Sequence, residues 1–201
     1  MKSLEEVARE ISGVDKLEHG YLPTYERMVG HLRDQECTIM EVGVASGVSI
    51  DLWLRAFPRA TVIGVDRKDR VTQPLDMTRA TLYEKDVTKA GALDAIVGNH
   101  GPFDLVIDDS GHNRACAAAI ASAVWPHHIK PGGWFVIEDT NAPDPDGFHA
   151  YVERWVALAN HGYTWGLCGR PFWKHDVAPI SGEIEQVIYR YGMMAVQRFR
   201  P

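Results

Sequence analysis

Between Thr38 and Asp66 the order of residues leaves few choices of fold. Thr38-Ile39-Met40-Glu41-Val42 is a short apolar run closed by Gly43-Val44-Ala45-Ser46-Gly47; a stretch from Ile50 to Phe57 follows, and then Ala60-Thr61-Val62-Ile63-Gly64-Val65. The two β-branched runs are too short for buried helices and are bounded by turn residues, so they read as strands, and the stretch between them reads as a helix. That is one β-α-β unit.

The unit recurs. Phe103-Asp104-Leu105-Val106-Ile107 reads as a strand, Arg114 to Trp125 as a helix of small residues, and Trp134-Phe135-Val136-Ile137 as a strand entered from a Lys130-Pro131-Gly132-Gly133 turn. Near the end, Val187-Ile188-Tyr189 and Met193-Met194-Ala195-Val196 read as paired terminal strands. The alternation predicts an α/β protein: a Rossmann-like, doubly wound, mainly parallel sheet of seven strands with helices on both faces and ligands beyond the strands' carboxyl ends. A helical N-terminal segment, residues 1 to about 34, is expected to lie across that rim. With no repeat and no linker-like tract, residues 1–201 read as one domain.

A net charge of −6 gives no basic footprint for nucleic-acid phosphates. No apolar run approaches the roughly 20 residues that span a bilayer, and the N-terminus lacks a signal peptide's apolar stretch, so a cytoplasmic protein without membrane contact is expected. Cys37, Cys116 and Cys168 are odd in number and widely spaced, which suggests reduced thiols rather than a disulfide framework.

The first strand ends in a glycine-rich turn and the second ends in Asp66, a spacing that suits a nucleoside ligand. Gly43 and Gly47 let backbone approach a ligand closely, and the Asp66 carboxylate can accept ribose hydroxyl protons. The dinucleotide pattern G-x-G-x-x-G is broken at Ala45, and no Tyr is followed four residues later by Lys, so a nicotinamide oxidoreductase fits less well. These residues resemble the class I S-adenosylmethionine-dependent methyltransferases, whose first loop reads E-x-G-x-x-x-G. The resemblance implies that Gly43, Ser46 and Gly47 pack around the methionine part of S-adenosylmethionine, that Asp66 holds the ribose, and that Asp86 in Tyr83-Glu84-Lys85-Asp86-Val87 takes the adenine amino group. Glu41, Val87 and Asp108 complete the expected cofactor set.

Two acidic pairs close two further strands: Asp108-Asp109, followed by Ser110-Gly111-His112, and Glu138-Asp139. If the strands are neighbours, their ends lie roughly 4.8 Å apart, and four converging carboxylates repel one another unless a cation joins them. An all-oxygen set favours a hard ion such as magnesium. The alternative is that Asp108 and Glu138 merely cap the elements that follow.

Asp15-Lys16, His19-Gly20-Tyr21 and Tyr25-Glu26-Arg27 near the start, together with the two acidic motifs, resemble the metal-dependent sugar O-methyltransferases of macrolide biosynthesis and their cephalosporin-hydroxylase-like relatives. That resemblance runs from about Gly13 to Val196. It implies that Asp109, Glu138 and Asp139 hold Mg2+ and that His112 is the catalytic base. One departure stands out: that family reads Asp-Asp-Gly-Ser-His, whereas Ser110 and Gly111 are exchanged here.

His19, Tyr21 and Tyr25 either close over the cofactor or anchor the N-terminal segment. Trp165, Phe172 and Trp173 either line an acceptor pocket or pack, and His127 and His128 read as structural. The expected function is methyl transfer from S-adenosylmethionine to a hydroxyl of a small molecule, a sugar of a glycosylated natural product above all. Catechol or phenol methylation, NAD-dependent oxidoreduction and an inactive cofactor-binding protein are the alternatives. Homo-oligomerisation stays open.

Overall fold

The computed structural model describes residues 2–144, 146–164 and 183–200, with the side chains of residues 159–164 outside that description. Cys168, Trp165, Phe172 and Trp173 therefore lie outside the described residues.

Three short helices come first: α1 (Leu4–Ala8), α2 (Asp15–Glu18) and α3 (Leu22–Val29). A capping box starts α1, with the Glu6 amide donating to Ser3 Oγ at 3.2 Å and the Ser3 amide donating to Glu6 Oε2 at 2.6 Å. The alternating part runs β1 (Cys37–Val42), α4 (Val48–Ala56), β2 (Ala60–Asp66), β3 (Ala80–Glu84), α5 (Asp94–His100), β4 (Phe103–Asp108), α6 (Arg114–Val124), β5 (Ile129–Glu138) and α7 (Phe148–Thr164). A hairpin of β6 (Ile184–Arg190) and β7 (Met193–Arg198) follows.

Among the described residues seven strands form one sheet in the order β3-β2-β1-β4-β5-β7-β6. β1 to β5 are parallel to their neighbours among themselves, and β7 runs antiparallel to both β5 and β6. The order reverses between β1 and β4, which opens a crevice at their carboxyl ends, the usual ligand position in such sheets.

Side-chain alternation divides the core. Ile39, Val62, Leu105 and Trp134 pack on one face with residues of α1, α3 and α4, while Met40, Ile63, Val106 and Phe135 pack on the other with α5, α6 and α7. Parallel strands buried on both faces need apolar residues at successive positions, which is why these runs read as unbroken.

The structure changes one expected boundary materially. Lys130-Pro131-Gly132-Gly133, read as a turn before a strand, lies inside β5 as an irregularity: the pairing jumps from Phe103↔Ile129 to Leu105↔Trp134. Gly132 at φ +79° supplies the left-handed residue that absorbs the extra chain. Among the described residues no helix is long and apolar enough to cross a membrane.

Candidate active site

The turn after β1 is held from two sides. The Gly43 amide donates to the Val65 carbonyl at 2.8 Å, and the Asp109 amide donates to the Val42 carbonyl at 2.8 Å, so the turn is laced to β2 and to the segment after β4. Gly43 takes φ +100°, and a Cβ on it would lie 1.8 Å from the Asp109 carbonyl oxygen. Backbone passes backbone there, and only glycine permits it. Gly47, at φ +87°, ends the turn and begins α4.

Asp66 closes β2 beneath this turn. Its Oδ2 accepts from the Val44 and Ala45 amides at 3.0 and 2.9 Å, and its Oδ1 accepts from the Lys68 amide at 3.1 Å. Burial pushes the carboxyl up, but the Ala45, Lys68 and Val44 amides with the Arg70 guanidinium outweigh that and hold it below its ordinary range. The carboxylate thus fixes the loop as well as facing a cavity of about 190 Å³ walled by Val44, Asp66, Val71, Leu82 and Tyr83. The Ser46 carbonyl accepts from the Thr72 and Gln73 amides at 3.0 and 3.2 Å, which folds the segment after β2 over the turn.

Other expected cofactor residues are placed elsewhere. Glu41 is fully buried on the face covered by α4, where Trp53 Nε1 donates to its Oε2 at 2.6 Å. The Asp86 carboxylate accepts from the amide and hydroxyl of Thr88 at 3.1 and 2.6 Å, and Val87 belongs to the core beside α5 and α6. Neither Asp86 nor Val87 lines the cavity at Asp66.

Asp108, at the end of β4, accepts from the Ser110 hydroxyl at 2.6 Å and from its amide at 3.2 Å. Burial, against the Ser110 donors, pushes this carboxyl up to about 6. The exchanged Ser110-Gly111 pair now has a local reason. Ser110 supplies the hydroxyl that Asp108 uses, and a Cβ at Gly111 would meet Asn113 Nδ2 at 2.5 Å and Cys116 Sγ at 3.1 Å. Asn113 needs that room because its Oδ1 caps α6 by accepting from the Cys116 amide at 3.0 Å.

The acidic rim forms at the adjoining ends of β4 and β5. Asp109, His112 and Asp139 each present a ligand atom within 4.8 Å of the others, with His112 Nε2 3.5 Å from Asp139 Oδ2. His112 and Asp139 both adopt positive φ, +48° and +51°. Side chains with a Cβ seldom take this conformation, and here both carry the polar groups of the site.

Glu138 faces the other way. Only 2% exposed, it accepts from the Lys16 ammonium at 2.7 Å and from the Tyr25 hydroxyl. The same ammonium lies 2.6 Å from Asp109 Oδ2 and 3.2 Å from Glu41 Oε1. Burial disfavours the charge on Lys16, but Glu138, Glu41 and Asp109 together outweigh it and hold the ammonium protonated. Burial raises Glu138 against the pull of Lys16, with Asp109 and Glu41 adding to the rise. Burial also raises the Tyr25 phenol.

The N-terminal segment therefore does cross the rim. Tyr21 donates to Asp139 Oδ1 at 2.8 Å and its hydroxyl also lies 2.8 Å from the Gly192 carbonyl, while His19 Nδ1 lies 3.6 Å from Asp139. Arg190 stacks 5.7 Å over the Tyr21 ring and donates to the Gly20 carbonyl at 2.6 Å. The sequence singles out His19, Tyr21 and Tyr25 as candidate site residues, whereas Lys16 enters only as part of the Asp15-Lys16 motif with no role assigned and Trp53 does not enter at all. The signal for Lys16 was the surplus of acids it answers.

The chain is 35% identical to the mycinamicin VI 2''-O-methyltransferase of Micromonospora griseorubida over 128 residues, 60% of this chain and 31% of that protein. It is 34% identical to the L-olivosyl-oleandolide 3-O-methyltransferase of Streptomyces antibioticus, over 61% of this chain and 33% of that one. It thus spans about a third of the length of these curated relatives. The fold matches that of MycE methyltransferase from the mycinamycin pathway, solved in complex with Mg and SAH, with a TM-score of 0.79 at 24% identity over 99% of this chain and 55% of that one. Residues 40–140, half of the chain and the part that carries the glycine turn and both acidic motifs, match the family described as Methyltransferase domain. On that match, the chain belongs to the methyltransferase domain family.

Proposed function

We propose that the chain transfers a methyl group from S-adenosylmethionine to a hydroxyl oxygen of a small glycosylated molecule, in the cytoplasm, with a divalent cation beside the cofactor. The observation that carries this reading is the meeting of Asp109, His112 and Asp139 at the ends of β4 and β5, next to a glycine turn laced to Asp66. The names of the relatives point the same way, since they describe O-methylation of glycosylated macrolides and tetracenomycins.

The residues present fit both groups. The cavity at Asp66 offers a carboxylate for hydroxyls and the apolar side chains of Val44, Val71 and Leu82 for a base. The rim offers carboxylates in excess of its ammonium, a donor set suited to a hard divalent ion. Asp109 and Asp139 would hold the cation with Glu138 behind them as the third acid. When bound, the cofactor supplies an electrophilic methyl, and the cation makes an acceptor hydroxyl more acidic. His112 removes the acceptor proton. Tyr21 orients Asp139, and the covered Gly43 turn keeps the cofactor loop in one conformation.

The reading is tested by methyl transfer from labelled S-adenosylmethionine to mycinamicin VI, a rhamnosylated tetracenomycin and a catechol. Transfer to a sugar hydroxyl supports it; transfer to the catechol alone replaces it with phenol methylation. Turnover should be lost on treatment with EDTA and return with Mg2+, while S-adenosylhomocysteine still binds. Full activity after exhaustive chelation would remove the cation from the account.

Asp66→Ala should weaken S-adenosylhomocysteine by roughly 1.5–3 kcal/mol, the usual worth of hydrogen bonds to a charged group. The loss has two sources, because the Val44 and Ala45 amides also lose their acceptor. Titration calorimetry giving wild-type affinity would take Asp66 out of the site.

A further inference from the structure

Lys16 is fully buried, a rare state for a lysine and one that demands partners. It reaches from α2 to three carboxylates on segments that are neighbours in the sheet: Glu41 on β1, Asp109 just after β4 and Glu138 at the end of β5. The outer oxygens of two of these acids are also engaged, Glu41 Oε2 by Trp53 and Glu138 Oε1 by Tyr25. An ammonium is a compact head that reaches acids arriving from different strands, donating here to Asp109 and Glu138 with its charge 3.2 Å from Glu41 Oε1; a planar guanidinium fork does not suit that arrangement.

We infer that Lys16 is a positioning residue for the cation site: its ammonium fixes the Asp109 and Glu138 carboxylates relative to each other, so that the N-terminal segment is part of that site. This rests on the reading above that a divalent cation binds at the rim. Without the ammonium, the buried Glu41 and Glu138 carboxylates and the partly buried Asp109 carboxylate face one another with no counter-charge, an arrangement that the fold cannot keep. Asp109 then swings from the direction in which it meets Asp139 and His112. Glu41 lies two residues before Gly43, so the same ammonium also ties the strand that carries the cofactor turn to the acids that would serve the acceptor.

The test measures binding rather than turnover. Mn2+ affinity of the full chain, read by electron paramagnetic resonance, should fall roughly 10- to 100-fold in Lys16→Met, the usual effect of removing a group that orients metal ligands. S-adenosylhomocysteine affinity should change far less. In the wild-type protein, the 15Nζ resonance of Lys16 should shift on titration with Mg2+ with a midpoint that equals the Mg2+ affinity obtained by displacing bound Mn2+. Unchanged or tighter Mn2+ binding by a folded Lys16→Met overturns the inference. If that variant does not fold, a Lys16 resonance that stays put at saturating Mg2+ overturns it instead. A wild-type protein that binds no Mn2+ overturns the cation reading and this inference with it.

Discussion

His112→Ala should lose roughly 10²- to 10⁴-fold in kcat, the usual worth of a positioned acid or base. Cofactor affinity should be untouched, because the imidazole lies against Asp139, 3.5 Å away, on the acidic rim rather than among the groups that wall the cavity at Asp66. The more discriminating measurement is cation affinity. His112 stands within ligand distance of Asp109 and Asp139, so the same geometry would allow its ring nitrogen to bind a metal. If His112 is the base, the variant binds Mn2+ as tightly as wild type and loses only turnover; if it is a ligand, cation affinity falls too. Near-normal turnover would sink both assignments. The left-handed backbone at His112 adds a control: the residue is held there by Ser110, Gly111 and the cap at Asn113, so a disturbed fold would appear as a lowered Tm.

Gly43→Ala should act on everything at once. The added Cβ would lie 1.8 Å from the Asp109 carbonyl oxygen and 2.4 Å from its carbonyl carbon, both backbone atoms tied into the sheet, at a φ of +100°. The clash cannot be relieved by rotating a side chain. A cost above about 4 kcal/mol is expected, the range reached only by severe steric or burial faults. For a chain of this size that is a fall in Tm of roughly 8–16 °C. Because the displaced carbonyl belongs to Asp109, S-adenosylhomocysteine binding and Mn2+ binding should both be lost. A variant with wild-type Tm that binds both would show that the close approach of the two loops is not required.

Much of this architecture was legible because parallel strands covered on both faces leave an unbroken apolar signature. The Gly43 turn, the strand ending in Asp66 and the two acidic pairs all stood at strand ends that could be found by eye. β5 was shortened in that reading because Pro131, Gly132 and Gly133 look like a turn in any local window. Only pairing with β4 shows that the strand continues through them. The site was harder. Asp108, Asp109, Glu138 and Asp139 look alike in sequence, but the alternation of side chains and the turns that follow send them to different partners: Ser110, Lys16, Tyr25 with Lys16, and Tyr21. Surplus acid suggested a metal, whereas the chain supplies an ammonium of its own as well. Long-range pairing of a lysine near the start with three distant strands leaves no periodic trace, and nothing in residues 83–87 announces that Asp86 accepts from the Thr88 amide and hydroxyl.

The hydrogen bonds that assemble the rim also say when it can exist. Lys16 meets Asp109 across 93 positions of sequence and Glu138 across 122, and Tyr21 meets the Gly192 carbonyl across 171. Contacts that close loops of this length are entropically costly until the sheet is in place. The β-α-β units can form from neighbours, but the rim needs the first helices, both inner strands and the last hairpin together. In folding, the rim is therefore expected to close after the sheet has formed, with the Gly192 turn meeting Tyr21 among the last contacts.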